Sequence, residues 1–290
     1  MSHVLELGTG LDSPRLTEAE FTRFQILIRE HTGIQLRDHK RELLVARLGQ
    51  HIRKLGFASF SAYYEHVSGD PSGEALRGFI NRITTNKTSF FREPHHFEFL
   101  RARLIPELRA RGQRQLHVWS AGCSTGEEPF SVAMTVQEAL GAHHSWTVRI
   151  LASDIDTDVL AQAQSGTYPL ESLEDVSTER RRAHFLRGYG EFEGQAQVRP
   201  ELRKMVKFRR LNLKETGWGI RARFDLIFCR NVIIYFDRPL QQQIVARLAA
   251  HLKPGGYFFS GHSENLFWMR DILNAVEPTI YRANPERGSK

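Results

Sequence analysis

The stretch from His117 to Met134, HVWSAGCSTGEEPFSVAM, ends an apolar run in small residues and then sets two carboxylates side by side. Gly122 and Gly126 carry no side chain, so a ligand could approach bare backbone there. Glu127, Glu128 and Pro129 fall where a helix opens, and acids and proline are favoured in a first turn. One helical pattern later, a second strand-like run, VRILASD, ends in Asp154. An acid at that place can hydrogen-bond ribose hydroxyls.

Two carboxylates at a helix start would repel a phosphate, which needs an uncrowded N-terminus. They suit a cation. S-Adenosylmethionine has an adenosine, a sulfonium, an amino group and no phosphate, so the stretch favours this methyl donor over a dinucleotide. The alternative, that both glutamates only cap the helix, stays open, as does the choice between Glu127 and Glu128. A second glycine pair, in VLELGTGLD at 4–12, lacks a full strand before it and a helix after it, and a lone GxG is weak. Later strand ends add Asn212 after FRRL, and Arg230, Asn231 and Tyr235 in RNVIIYF. Ligands of open α/β sheets bind at the carboxyl ends of strands, so Asp154, Asn212 and Asn231 are expected to line one crevice.

The elements that would position these residues begin near 116. LHVWSAG, TVRILASD, VKFRRLNL, FDLIFCRNVIIYF and GGYFFSGH read as strands, with helical patterns between most of them. That order predicts a mostly parallel sheet covered by helices on both faces. Residues 167–205 interrupt it and are too long for a simple loop, so they read as an inserted subdomain. Residues 15–66 read as helices. Thr17 and Glu20 form a capping-box pattern and Gly33 a stop. A helix from Asp38 to Gly56 carries Leu44, Leu48, Ile52 and Leu55 as its apolar stripe. Lys40, Arg47, His51 and Lys54 cluster beside that stripe, as a solvated face or a grip for an acidic surface. Further helical patterns cover 74–83 and 98–110.

The chain has 290 residues, 41% of them apolar, which is enough for a substantial core in one large domain or two ordinary ones. Its net charge of +7 points to an acidic partner without choosing one. Two distant cysteines, Cys123 and Cys229, form neither a disulfide framework nor a zinc spacing. His95, His96 and His262 lack ligand spacing, so no metal is expected. With no signal-peptide pattern and no long apolar run, the expected location is the cytoplasm. No long heptad stands out, so the expected state is a monomer.

Five motifs, TTNKTSFFRE (84–93), WSAGCSTGEEPFS (119–131), ASDIDTDVLAQAQSGTY (152–168), FCRNVIIYFD (228–237) and LKPGGYFFSGHSEN (252–265), together resemble the CheR family of bacterial chemotaxis receptor methyltransferases. The resemblance covers nearly the whole chain. It implies an all-helical N-terminal domain (1–83) and a class I, Rossmann-like α/β methyltransferase domain (84–290) with a small inserted β-subdomain at about 167–205. The implied reaction moves a methyl group from S-adenosylmethionine to glutamate side chains of chemoreceptors, leaving S-adenosylhomocysteine and a methyl ester. By motif, Asn86, Thr88, Arg92, Gly122, Glu128, Asp154, Asn212, Leu213, Arg230 and Asn231 would hold the cofactor. Arg92 and Tyr235 would hold the substrate carboxylate.

The resemblance also gives the charged surfaces a partner. Lys40, Arg47, His51 and Lys54 would face the receptor's cytoplasmic helical bundle. In RGYG of the insertion, Gly188 and Gly190, with Arg187 and Arg199, would dock a receptor C-terminal peptide by strand addition. Two rivals remain. A nucleic-acid methyltransferase fits the charge, but no aromatic-and-basic tract is present. A non-catalytic S-adenosylmethionine-binding adaptor should have lost Arg92, Asn231 or Tyr235, and all three are here.

Overall fold

The computed structural model describes residues 15–141 and 145–284. The glycine pair at 4–12 lies outside them. They form two compact units that divide between Ile83 and Thr84.

The first unit is helical: α1 (Glu18–Thr32), α2 (Arg41–Lys54), α3 (Phe60–Gly69) and α4 (Glu74–Ile83). Thr17 and Glu20 close a reciprocal capping box, and Gly33 ends α1 in the left-handed conformation at φ 79°. Phe24 is fully buried, with its ring 5.4 Å from Phe79 and edge-on to Phe60. Leu44, Leu48 and Ile52 are fully buried along α2. Leu55 is not part of that stripe. It is 51% exposed, because α2 ends at Lys54 and Leu55, as the cap, turns off the apolar face.

The basic row is divided in the same way. Arg47 donates to the Ile83 carbonyl at 2.6 Å. His51 stands edge-on to the Tyr63 ring at 5.7 Å, and burial lowers its pKa. Lys40 and Lys54 remain exposed.

In the second unit, α5 (His95–Phe99) runs through a π-helical turn at Leu100–Leu104 into α6 (Ile105–Ala110). Then β1 (Gln115–Ala121), α7 (Glu127–Leu140), β2 (Thr147–Asp154) and α8 (Thr157–Ser165) alternate. The insertion follows, with β3 (Thr167–Pro169), α9 (Thr178–His184), β4 (Phe185–Arg187), β5 (Gln195–Val198) and α10 (Pro200–Arg203). The main sheet resumes with β6 (Val206–Arg210), β7 (Phe224–Cys229), α11 (Arg238–Ala250), β8 (Leu252–Ser260), β9 (Leu273–Glu277) and β10 (Ile280–Ala283).

The large sheet has the order β6-β2-β1-β7-β8-β10-β9. Its first five strands pair in parallel, and β10 and β9 add an antiparallel edge. All six residues of β7 are buried, as a central strand covered on both faces requires. The strand signal in FDLIFCRNVIIYF overruns the strand, which stops at Cys229, and Ile233–Tyr235 is a 3-10 turn. The β9–β10 hairpin was not expected from the sequence, because its exposed Asn274 and half-buried Glu277 break the apolar pattern.

The insertion forms an antiparallel sheet of order β3-β5-β4. Its Tyr168 is fully buried and donates its hydroxyl to the Thr125 carbonyl at 2.7 Å, so the subdomain supports the glycine turn after β1. Arg180 and His184 of α9 both bind Glu138 of α7. Burial alone would raise that carboxyl, but these donors hold it down at about 2.

Candidate cofactor and transfer site

The parallel register brings five strand ends to one level. Ala121 pairs with Ser153, Asp154 with Arg210, Ser120 with Phe228, and Cys229 with Ser260. The loops beyond them carry most of the candidate residues.

The turn after β1 is built from backbone. Gly122 and Cys123 donate their N–H groups to the Ser153 carbonyl at 2.8 and 3.0 Å. Gly122 has φ 86°, and a Cβ there would lie 2.3 Å from Val232 Cγ2. Gly126 has φ 96°, and its Cβ would meet Ala163 and the Tyr168 hydroxyl, each at 2.9 Å. Only glycine fits either position.

Three buried or half-buried acids converge on this turn. Asp154 accepts from Ser124 N at 2.8 Å and from Asp156 N at 3.1 Å. Glu128 accepts from Ser120 Oγ at 2.7 Å and from Arg230 Nη1 at 3.1 Å. Glu127 accepts from Thr125 Oγ1 at 2.6 Å. Burial pushes all three carboxyls above their ordinary values. Asn86 joins the same network. Its amide donates to Asp156 at 2.7 Å, and its carbonyl accepts from Ser124 Oγ at 2.9 Å.

Arg230 lies inward, with its side chain 2% exposed. Its guanidinium stands 3.1 Å from Glu128 Oε2 and 3.2 Å from Glu93 Oε2, and it donates to the Arg92 carbonyl. The backbone it holds is strained, because Phe91 and Glu93 have φ of 54° and 59°. Arg92 between them is half-buried, and its Nη1 donates to the Lys87 carbonyl at 3.0 Å. Glu93 was not singled out in the sequence, although it ends the TTNKTSFFRE motif.

Glu264 was missed as well. It is 3% exposed and accepts four backbone N–H groups, from Asn231 (2.7 Å), Val232 (2.8 Å), Ile234 (3.3 Å) and Gly261 (2.8 Å). One carboxylate thereby clamps the loops after β7 and β8. Asn231 sits in this clamp with φ 58°, and its amide packs against Gly261, where a Cβ would come within 2.6 Å. Tyr235 ends the 3-10 turn that the clamp starts and is half-buried. The sequence signal was its place just past a strand, within the LKPGGYFFSGHSEN motif.

Asn212 follows β6, where its Oδ1 accepts from Lys214 N at 3.0 Å and its carbonyl accepts from Trp218 Nε1 at 3.1 Å. Leu213 beside it is buried. Thr88 is half-buried in the loop that carries Arg92. Arg187, Gly188, Gly190 and Arg199 belong to the insertion, apart from this group. Arg187 is exposed on β4, and Arg199 donates to the Arg182 carbonyl at 3.3 Å.

His95 and His96 both reach Thr279 Oγ1, at 3.0 and 2.8 Å. That hydroxyl donates to the Pro278 carbonyl, so it accepts from both rings and each carries its proton on Nε2. Burial and Arg230 keep His96 neutral, with a pKa of about 2. Glu93, His95 and His96 lie close enough to share an ion. Arg230 already supplies the positive charge beside Glu93, and a metal there would sit against a guanidinium.

The donor set fits a cationic nucleoside. The turn offers bare backbone and carboxylates, and the one arginine that reaches its acids, Arg230, is already engaged by Glu128 and Glu93. A glycine turn after β1 and an acid ending β2, on this sheet, define a class I S-adenosylmethionine-dependent methyltransferase. The family model described as "CheR methyltransferase, SAM binding domain" matches residues 86–282. The one described as "CheR methyltransferase, all-alpha domain" matches residues 19–84. The "Chemotaxis protein methyltransferase 2" of Pseudomonas aeruginosa is 44% identical over 265 residues, covering 91% of this chain and 93% of that protein. The "Chemotaxis protein methyltransferase" of Salmonella typhimurium is 44% identical over 273 residues, covering 94% and 92%. Its namesake of Escherichia coli is 42% identical over 267 residues, covering 92% and 91%. The chain belongs to the CheR methyltransferase family, and its cofactor is S-adenosylmethionine. Among the described residues, no helix is long and apolar enough to cross a membrane.

Three outcomes follow from this geometry. Gly122→Ala forces a methyl group into Val232 and should abolish S-adenosylmethionine binding in calorimetry, with the far-ultraviolet circular dichroism unchanged. Glu264→Gln leaves one oxygen for four donors. It should destabilise the fold by about 1.5–3 kcal/mol in denaturant unfolding, the value of a hydrogen bond to a charged group. Acidification should weaken cofactor binding at a pH above the ordinary aspartate value of 3.8, since burial raises Asp154 and the ligand is a cation. The sign for the free protein is opposite. A raised carboxyl pKa makes ionisation cost stability as pH rises through it, so protonation of Asp154 by itself favours the free fold while it weakens the cofactor complex. Titration calorimetry between neutral and mildly acidic pH separates the two.

Proposed function

We propose that this chain methylates glutamate side chains on the cytoplasmic helices of chemoreceptors, as a protein-glutamate O-methyltransferase in sensory adaptation. The observation that carries the reading is the arrangement of Arg92 and Tyr235. Tyr235 stands in the loop after β7, which Glu264 clamps, and Arg92 stands in the turn before α5, whose backbone Arg230 holds.

Bound S-adenosylmethionine supplies a methyl group on a positively charged sulfur, which keeps the bonding electron pair as a carboxylate oxygen takes the methyl. A glutamate is already ionised at neutral pH, so the chain need supply no general base. This agrees with a site whose candidate groups are an arginine, a phenol and an amide. In the proposal Arg92 and Tyr235 hold one carboxylate oxygen in line with the methyl group. Arg92 already donates to the Lys87 carbonyl. That shared engagement tempers its grip on the ground-state carboxylate, and a tight ion pair would slow the reaction. Asn231, fixed in its left-handed conformation, would face the cofactor beside them. Asn86, Thr88, Glu128, Asp154, Asn212 and Leu213 would complete the cofactor site, with Arg230 holding Glu128 in place.

Two further surfaces belong to the proposal. Lys40 and Lys54, exposed on the helical unit, would meet the acidic receptor bundle. Arg47 and His51 would act there through packing more than by charge. On the insertion, β4 is a sheet edge, and Leu186, Tyr189 and Phe192 are exposed beside it at 40%, 79% and 62%. A Cβ on Gly188 would lie 2.1 Å from the Phe192 carbonyl oxygen, so the RGYG loop is tightly closed. These features support strand addition of a receptor C-terminal peptide.

Label transfer tests the reaction. The protein is incubated with methyl-labelled S-adenosylmethionine and chemoreceptor-containing membranes, then treated with mild alkali. Volatile methanol released from receptor protein is the expected result. Alkali-stable label on nucleic acid would overturn the reading, and cofactor binding without transfer to any receptor would turn it towards an adaptor.

A further inference from the structure

Two exposed apolar side chains stand on the loops that carry the transfer residues. Ile234 is 39% exposed and Phe267 is 66% exposed. Ile234 precedes Tyr235. Phe267 lies three residues beyond Glu264, whose carboxylate accepts Ile234 N at 3.3 Å. Both therefore sit on the one pair of loops that Glu264 clamps, beyond the paired ends Cys229 and Ser260 of β7 and β8.

The Phe267 turn is held firmly. Phe267 N donates to Asn265 Oδ1 at 2.8 Å, and Trp268 Nε1 donates to the Asn265 carbonyl at 2.7 Å. The Arg238 guanidinium covers the Trp268 ring at 4.7 Å. Leu266 and Met269 are buried on either side, at 0% and 6% exposure. A turn anchored by two buried neighbours and still presenting a phenylalanine to solvent has paid ordering entropy without burying that ring. Single exposed apolar residues are ordinary. What sets this pair apart is the fixed backbone, the place of Ile234 beside Tyr235, the Arg238–Trp268 contact that joins the two segments, and the exposed Arg238 and Arg270 on them.

We propose that Ile234 and Phe267 form a docking rim for the substrate helix itself, an acidic amphipathic helix of the receptor bundle. The inference rests on the proposed glutamate methylation. A glutamate side chain is short, so its helix must lie against the mouth of the site when the carboxylate reaches Tyr235. Residues three and four positions away from that glutamate on the helix are its neighbours on the same face. They would meet the rim, with aliphatic positions covering Phe267 and Ile234 and flanking acids facing Arg238 and Arg270. A rigid aromatic among basic residues is the kind of anchor that dominates interfaces.

The test uses the full chain as Phe267→Ala and Phe267→Glu, with a soluble receptor cytoplasmic fragment as probe. Three quantities are measured: S-adenosylmethionine affinity, the dissociation constant of the fragment, and the KM and kcat for its methylation. The expected result is unchanged cofactor affinity and kcat, with KM and the dissociation constant raised about tenfold for alanine, as for the loss of an interface anchor. For glutamate the rise should be larger, since it faces an acidic helix. Unchanged fragment binding and KM in both variants would overturn the rim, as would a fall in kcat alone. If the wild type binds the fragment but forms no methyl ester, the reaction assignment fails and the rim is still decided by the binding of the variants.

Discussion

The site depends on one buried cation. Arg230 follows directly on β7, and its guanidinium reaches the start of α7 through Glu128 and the strained Phe91–Glu93 turn through Glu93 and the Arg92 carbonyl. Burying a charge is costly unless partners surround it. Here two carboxylates and a carbonyl do so, and three segments distant in sequence must assemble together to provide them. Remove the guanidinium and two buried carboxylates face each other with no counter-charge. The left-handed conformations of Phe91 and Glu93 gain their compensation from the same contact, so Arg92 is presented by a turn that would not hold this shape alone.

Glu264 is the anionic counterpart. Its four N–H donors come from two loops, and those donors would otherwise end unpaired at the edge of a buried sheet. Burial raises this carboxyl while the donors pull it down, and the anion is what satisfies all four. The arrangement fixes Asn231 and the turn leading to Tyr235 without adding a side chain to the crevice. Arg230 and Glu264 therefore rigidify adjoining stretches of one loop from opposite sides, a cation on the α7 side and an anion on the β8 side. Methyl transfer by alignment needs this kind of support, since small displacements of the reacting groups cost rate.

The residues that were legible in the sequence share a feature: their signals are local. The capping box at Thr17 and Glu20, the stop at Gly33, the glycine turn at 122–126 and the alternation of strands and helices each lie within a few consecutive residues. The insertion showed itself by length alone, and its three strands came from topology. What stayed hidden is long-range. Glu264 reads as a solvated acid until its partners 33 residues away are folded against it. Glu93 acquires meaning only when Arg230 arrives. Leu55 fits the apolar period of α2 by counting, yet the helix ends one residue before it. Arg47 and His51 lie in a basic row by the same counting, but tertiary packing gives one to the Ile83 carbonyl and the other to the Tyr63 ring.

The three acids at the glycine turn explain why this site prefers a cation. Asp154 and Glu127 take hydrogen bonds from backbone N–H groups or a hydroxyl, and neither has an ion-pair partner among the described residues. Glu128 shares Arg230 with Glu93. The balance of formal charge at the turn is negative, and burial makes each ionised carboxyl more costly than it would be in water. A phosphate would add to that cost. A ligand carrying a sulfonium and an ammonium relieves it, so part of the binding energy comes from a penalty already built into the free protein.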